Sequence, residues 1–150
     1  MIVRDLSEAD FDQWRDLFLA YGVFYETEFS DDLVERVWRD LLDPAHPETC
    51  FVANERGVLI GFAHIQRQYD TFRPGTSWFL DDLFVHPDYR GQSVARQLIE
   101  HAKSHAFHNG GGEMKWITAD TNTTAMGLYD KIAKKTSWVM YEMPTGRDSS

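Results

Sequence analysis

The sequence predicts an α/β fold: a mixed, mostly antiparallel sheet of about six strands with four flanking helices, in the order β-α-α-β-β-β-α-β-α-β. Three observations predict it. The apolar period switches between 3.6 and 2 along the chain, which separates helices from strands. Helix start and stop signals fall between the periodic runs. Near the middle, a strand is followed by a helix and then another strand, and that crossover requires the two strands to lie side by side and parallel.

Each element follows in order. "IVRDL" reads as a short strand, and Ser7 caps a helix to about Tyr21 with Phe11, Trp14, Leu17 and Phe18 on one face. Ser30, with Asp31 and Asp32 in the first turn, opens a second helix carrying Leu33, Val34, Val37, Trp38 and Leu41, and "DPAHPE" ends it. "TCFVANERGVLIGFAHIQRQY" reads as a hairpin turning near Arg56 and Gly57, and "TSWFLDDLFVH" as a third strand. A helix from about Ser93 to His108 turns Val94, Leu98, Ile99, Ala102 and Ala106 inward and stops at "NGGG". The strand "MKWITA", which the crossover places beside the strand around Asp81, a helix from Asn122 to about Lys135 and a strand "SWVMYEM" complete the domain.

The chain of 150 residues is long enough for one domain, residues 1–143, with a loose tail at 144–150. A single cysteine, Cys50, leaves no internal disulfide framework and suits a reducing compartment. There is no apolar run of membrane-spanning length and no signal-peptide layout at "MIVRDLSEAD", so the expected location is the cytoplasm. A net charge of −9 disfavours nucleic acid and anionic membranes as partners and attracts cations.

Two adjacent carboxylates, Asp81 and Asp82, interrupt the strand "WFLDDLFV". Strict alternation sends them to opposite faces, so at least one is turned inward, where an ionised carboxylate must be paired or must line a wet cleft. Ligands of such sheets bind beyond the carboxyl ends of the strands, where "HPDYRGQSVA" and the next helix N-terminus lie. Free N–H groups at a helix N-terminus suit a phosphate, although the loop by itself reads equally well as a plain turn.

"FLDDLFVHPDYRGQSVARQLIEHA" resembles the acyl-CoA-binding segment of the GCN5-related N-acetyltransferase superfamily, and "WITADTNTTAMGLYDKIA" resembles the segment that follows it there. The order of elements agrees over residues 1–143, and the details are most similar to the branch acting on polyamines and histone-like basic peptides. The resemblance implies an acetyl-CoA-dependent N-acetyltransferase acting on a primary amine by direct transfer in a ternary complex. A protein lysine or N-terminal acceptor is the alternative within enzymes, and a non-catalytic acyl-CoA-binding module the alternative outside them.

Carried onto this chain, the resemblance places Arg90, Gly91, Gln92, Ser93, Val94 and Ala95 around the pyrophosphate, and the backbone of Leu83, Phe84 and Val85 along the pantetheine arm. Asn122 joins them as a cap that also bonds the arm. Ser93 stands where the family has glycine; its Cβ costs of order 1 kcal/mol if φ is positive, and it reads as a helix cap. Tyr129, an ordinary core tyrosine by spacing on the stripe Ala125, Leu128, Tyr129 and Ile132, is implied as the acid for the departing thiolate. Asp81 is implied as the acceptor of the amine's proton, directly or through water, and Asp82 reads as structural or as a charge that orients the substrate.

The family places part of its acceptor site in the connection "YGVFYETEF", which nominates Tyr25, Glu26 and Glu28 as contacts to a cation. His101, His105 and His108 share a helix face, but nothing completes a ligand set with them and no metal is expected. A terminal strand Ser137 to Met143 with Trp138 and Tyr141 invites pairing with a second chain, so a homodimer is expected.

Overall fold

The computed structural model describes residues 1–147. They form two compact units, Met1–Trp116 and a smaller one beginning at Ile117.

The first unit is built on β1 (Ile2–Asp5), α1 (Phe11–Phe24), α2 (Asp31–Leu42), β2 (Glu48–Glu55), β3 (Val58–Tyr69), β4 (Thr76–Val85), α3 (Val94–His108) and β5 (Met114–Lys115). The strands lie in the order β1-β2-β3-β4-β5. All neighbours are antiparallel except β4 and β5, which run parallel as the crossover requires and pair only at Trp78 with Met114 and Phe79 with Lys115. β5 is thus shorter than "MKWITA", and β4 continues past it with no strand partner on that side among the described residues.

Local chemistry sets the helix entries. Ser30 Oγ accepts from the Leu33 N–H at 3.2 Å and caps α2. Before α1, a short 3-10 turn over Glu8–Asp10 is held by the Asp10 carboxylate, which accepts from the Ser7 N–H at 2.8 Å and from both Arg4 nitrogens at 2.8 and 2.9 Å. The Arg4 hydrogen bond keeps the Asp10 carboxyl below its ordinary range.

One face of the sheet packs against α1 and α2, where Trp14, Leu17, Phe18 and Val34 meet Cys50, Val52, Phe62 and Phe84. The other face receives Leu98, Ile99, Ala102 and Ala106 of α3, with His101 and His105 set edge-on against Phe51. Gly61 lets α3 lie close: a Cβ there would come within 2.8 Å of the Phe84 carbonyl oxygen and 3.3 Å of Leu98. The N-terminus of α3 is thereby set over the end of β4.

The second unit holds α4 (Thr123–Ile132), one turn shorter than the sequence predicts. Residues 133–147 form neither helix nor strand, so the expected strand from Ser137 to Met143 is absent among the described residues and the sheet has five strands instead of about six. The physical reason is that alternating aromatic and aliphatic residues supply propensity only, while a strand exists through the hydrogen bonds of a neighbour. Of the expected tail at 144–150, residues 148–150 lie outside the described residues.

Candidate active site

The N-terminus of α3 is shaped by its backbone. Gly91 has φ of +77° and Ser93 of +65°, two left-handed residues that turn the chain from β4 into the helix. The first intrahelical bond runs from the Gln97 N–H to the Ser93 carbonyl, so the N–H groups of Val94, Ala95 and Arg96 emerge from the helix end, as an anion site needs. A Cβ placed on Gly91 would meet nothing within 4 Å, so the loop is open on that side. Arg90 turns inward: its Nε–H donates to the Val85 carbonyl at 3.1 Å and its guanidinium lies over Phe24 and Phe84. It braces the loop against β4. Ser93 occupies the cap position but its hydroxyl makes no capping bond, which corrects the expectation of an ordinary cap; a left-handed backbone turns the side chain away from the N–H groups it would serve.

Leu83, Phe84 and Val85 lie on the stretch of β4 beyond its last pair with β5. Their strand has backbone polar groups on that side available to an extended ligand arm. The loop and this strand edge fit an elongated ligand ending in phosphates.

Asp81 and Asp82 do not face opposite ways, and a β-bulge is the reason. Asp82 pairs with His64 and Leu80 with Ile65, which leaves Asp81 as an extra residue opposite no partner. Alternation is broken there, and both aspartates line one cavity with Phe18, Val37, Asp40, His46, Glu48 and His64. Its volume is about 340 Å³. No lysine or arginine lines it among the described residues.

The carboxyl groups of this cavity are in different states. Asp82 accepts from His64 Nδ1 at 2.9 Å and from the Tyr21 hydroxyl. Burial opposes its charge, yet these donors hold its carboxyl below the ordinary range, while burial and the adjacent Asp82 push the Tyr21 phenol far up. Glu48 is the opposite case: burial, with a hydrogen bond to Asp81 and the charge of Asp81 and Asp82, pushes its carboxyl up to about 9. At neutral pH Asp82 is therefore a fixed anion, and Glu48 holds its proton beside Asp81. Sequence reasoning missed Glu48, Tyr21, Asp40 and His64. The available signal was a histidine at an inward position of the apolar run "GFAHI".

Tyr25, Glu26 and Glu28 are exposed on the turn after α1 and do not line this cavity. In the second unit, Asn122 Oδ1 accepts from the Ala125 N–H at 3.3 Å and caps α4, while Ala125, Leu128, Tyr129 and Ile132 form a half-buried stripe.

Residues 9–133 match the family model described as the acetyltransferase (GNAT) family. The chain belongs to that family. As a GNAT protein it is 28% identical over 144 residues to the D-amino-acid N-acetyltransferase HPA3 of Saccharomyces cerevisiae, covering 95% of this chain and 89% of that one. It is 29% identical to the thialysine N-epsilon-acetyltransferase of Bos taurus over 87% of this chain and 73% of that one. Among solved structures, the GNAT fold of an aminoglycoside N-acetyltransferase AAC(6')-Iy in complex with CoA matches with a TM-score of 0.82 at 24% identity, over 96% of this chain and 94% of that one. The chain is an N-acetyltransferase, and the non-catalytic alternative is set aside.

Proposed function

We propose that this enzyme transfers an acetyl group from acetyl-CoA to the primary amine of a small, positively charged acceptor, by direct transfer in a ternary complex. The observation that carries this reading is the cavity in which Asp40, Glu48, Asp81 and Asp82 converge with no fixed cation among its lining residues. Relatives are named for a D-amino acid and for thialysine, acceptors that carry a carboxylate. A cavity of this charge favours an amine without one, of the polyamine kind.

Acetyl-CoA supplies an activated acetyl thioester when bound. Gly91, Gln92, Ser93, Val94 and Ala95 would hold its pyrophosphate on a loop that Arg90 braces, Leu83, Phe84 and Val85 its pantetheine arm, and Asn122 would assist as a hydrogen-bonding cap; the backbone of the loop and of β4 supports this assignment. Asp82 provides the fixed charge that orients an ammonium. Asp81 accepts its proton, directly or through water, because only the neutral amine attacks. Glu48, held protonated by burial and the neighbouring carboxylates, hydrogen-bonds Asp81 and orients it towards the incoming amine. Tyr25, Glu26 and Glu28 would add negative charge and aromatic faces for the far end of a longer acceptor, and Tyr129 holds the proton destined for the leaving sulfur. A protein lysine acceptor is the alternative. We place the enzyme in the cytoplasm as a homodimer, supported by the buried free thiol of Cys50 and by the exposure of Trp138 and Tyr141; no helix among the described residues is long and apolar enough to cross a membrane.

A thiol-release assay over spermidine, amino acids, aminoglycosides and basic peptides tests the reading, with the highest kcat/KM expected for spermidine. Preference for an amino acid would overturn it. Tyr129→Phe keeps the ring and removes the hydroxyl, so turnover is expected to fall by about two to four orders of magnitude with folding and acetyl-CoA binding retained. Near-wild-type turnover of that variant, where chemistry limits the rate, would remove Tyr129 from the acid role.

A further inference from the structure

His64 is the least accessible titratable group at the acceptor cavity, with 1% of its surface exposed. It lies on β3 among Phe18 and Phe62, and both ring nitrogens are engaged. Trp14 Nε1 is 3.1 Å from His64 Nε2, and Asp82 Oδ2 is 2.9 Å from Nδ1. An indole N–H can only donate, so Nε2 must present its lone pair. The imidazole proton therefore sits on Nδ1 and is donated to Asp82.

We propose that Trp14 locks His64 as the neutral Nδ1–H form, and that His64 in this form is the positioning residue that holds Asp82 in the cavity with its full negative charge. An imidazolium would carry N–H groups on both nitrogens, and its Nε2–H would face the Trp14 N–H, leaving two buried donors without an acceptor. The second proton is excluded by geometry. The consequence is electrostatic: the donors on Asp82, His64 and Tyr21, are both neutral and fix the carboxylate without cancelling its charge. An imidazolium in the same place would neutralise Asp82 and repel an incoming ammonium. The other titratable groups around His64 are Cys50 on β2, paired with it across the ladder and kept as a thiol by burial, and Asp40, His46, Glu48 and Asp81 around the cavity. None reaches Nε2, which belongs to Trp14.

The role assigned to the charge rests on the amine-acceptor reading, whereas the locked tautomer does not, so the test has two arms. Imidazole 15N spectra of the wild-type protein between pH 5.5 and 8.5, without acceptor, should show His64 with a protonated Nδ1 and an unprotonated Nε2 throughout. A protonated Nε2, or titration of His64 within that window, would overturn the proposal. Trp14→Phe keeps an aromatic ring in the core and removes the N–H together with part of the indole, which frees His64 to take a second proton as the pH falls. Its KM for 1,5-diaminopentane should exceed the wild-type value about tenfold at pH 6 and match it at pH 8.5, with kcat little changed. KM profiles that run parallel in the two proteins would also overturn it. If neither protein acetylates the diamine, the acceptor reading fails and takes the proposed role of the Asp82 charge with it, while the spectra decide the tautomer on their own.

Discussion

The loop entering α3 and the cavity beside β4 both lie along the C-terminal half of β4 and are suited to opposite charges by different means. The loop offers backbone N–H groups shaped by two left-handed residues, Gly91 and Ser93, and its one arginine is turned inward as a brace. The cavity offers side chains: Asp82 fixed as an anion, Glu48 holding its proton beside Asp81, and His64 behind them. A backbone site keeps its donors through almost any side-chain change, whereas a side-chain site changes state with one substitution or one unit of pH. Mutation should therefore divide the two regions sharply.

Between these two regions, the largest effect is expected at Asp81. Asp81→Asn keeps size and removes the proposed proton acceptor, so kcat/KM for the amine should fall by two to three orders of magnitude while acetyl-CoA affinity is unchanged; equilibrium binding and steady-state rates separate the two. An equal loss of acetyl-CoA binding would erase the division between the regions.

A smaller effect is expected from pH. Glu48 binds its proton more tightly in the folded protein than in the unfolded chain, so folding is favoured while Glu48 is protonated in both states. That advantage falls away as pH rises from about 4.5 towards 9. Glu48→Gln should raise the melting temperature at pH 8.5 relative to wild type and flatten the rise of kcat/KM towards alkaline pH. Asp10, held low by Arg4, acts in the opposite direction and withdraws its stabilisation only as pH falls below about 4. Melting curves from pH 4 to 9 distinguish these contributions.

The smallest effect is expected at the loop. Ser93→Gly relieves a left-handed serine and should stabilise the protein by about 1 kcal/mol, with acetyl-CoA bound no more weakly. A destabilised variant would show that the serine side chain supports the turn.

What the sequence made legible was local. Ser30 as a cap, the turn at Arg56 and Gly57 and the parallel pair of β4 and β5 follow from signals within a few residues or from chain handedness. The loop from Arg90 to Ala95 was recognisable because its motif is contiguous. The acceptor cavity was not, because its meaning comes from register: His64 meets Asp82 across 18 positions and Trp14 across 50. Glu48 acquires its altered proton affinity only when folding buries it and brings it beside Asp81 and Asp82. The common face of the two aspartates was misread for the same reason, since strict alternation holds only where neither strand carries an extra residue. The strand expected from Ser137 to Met143 shows the limit of propensity without a partner.

The bulge at Asp81 also bears on how such an enzyme can diversify. Because Asp81 is surplus to the ladder, Trp78 keeps its place against His105 of α3, and Phe84 keeps its place in the cluster with Trp14 and Phe62. The residue arrives as an insertion, leaving the inward and outward assignments on either side as they would be without it. A reading-frame-preserving gain or loss of one codon is thus sufficient to add or delete a carboxylate at the acceptor end of β4 while the hydrophobic lattice beneath it stays in phase. Acceptor chemistry can then drift by indel, on a scaffold that does not have to be repacked to follow it.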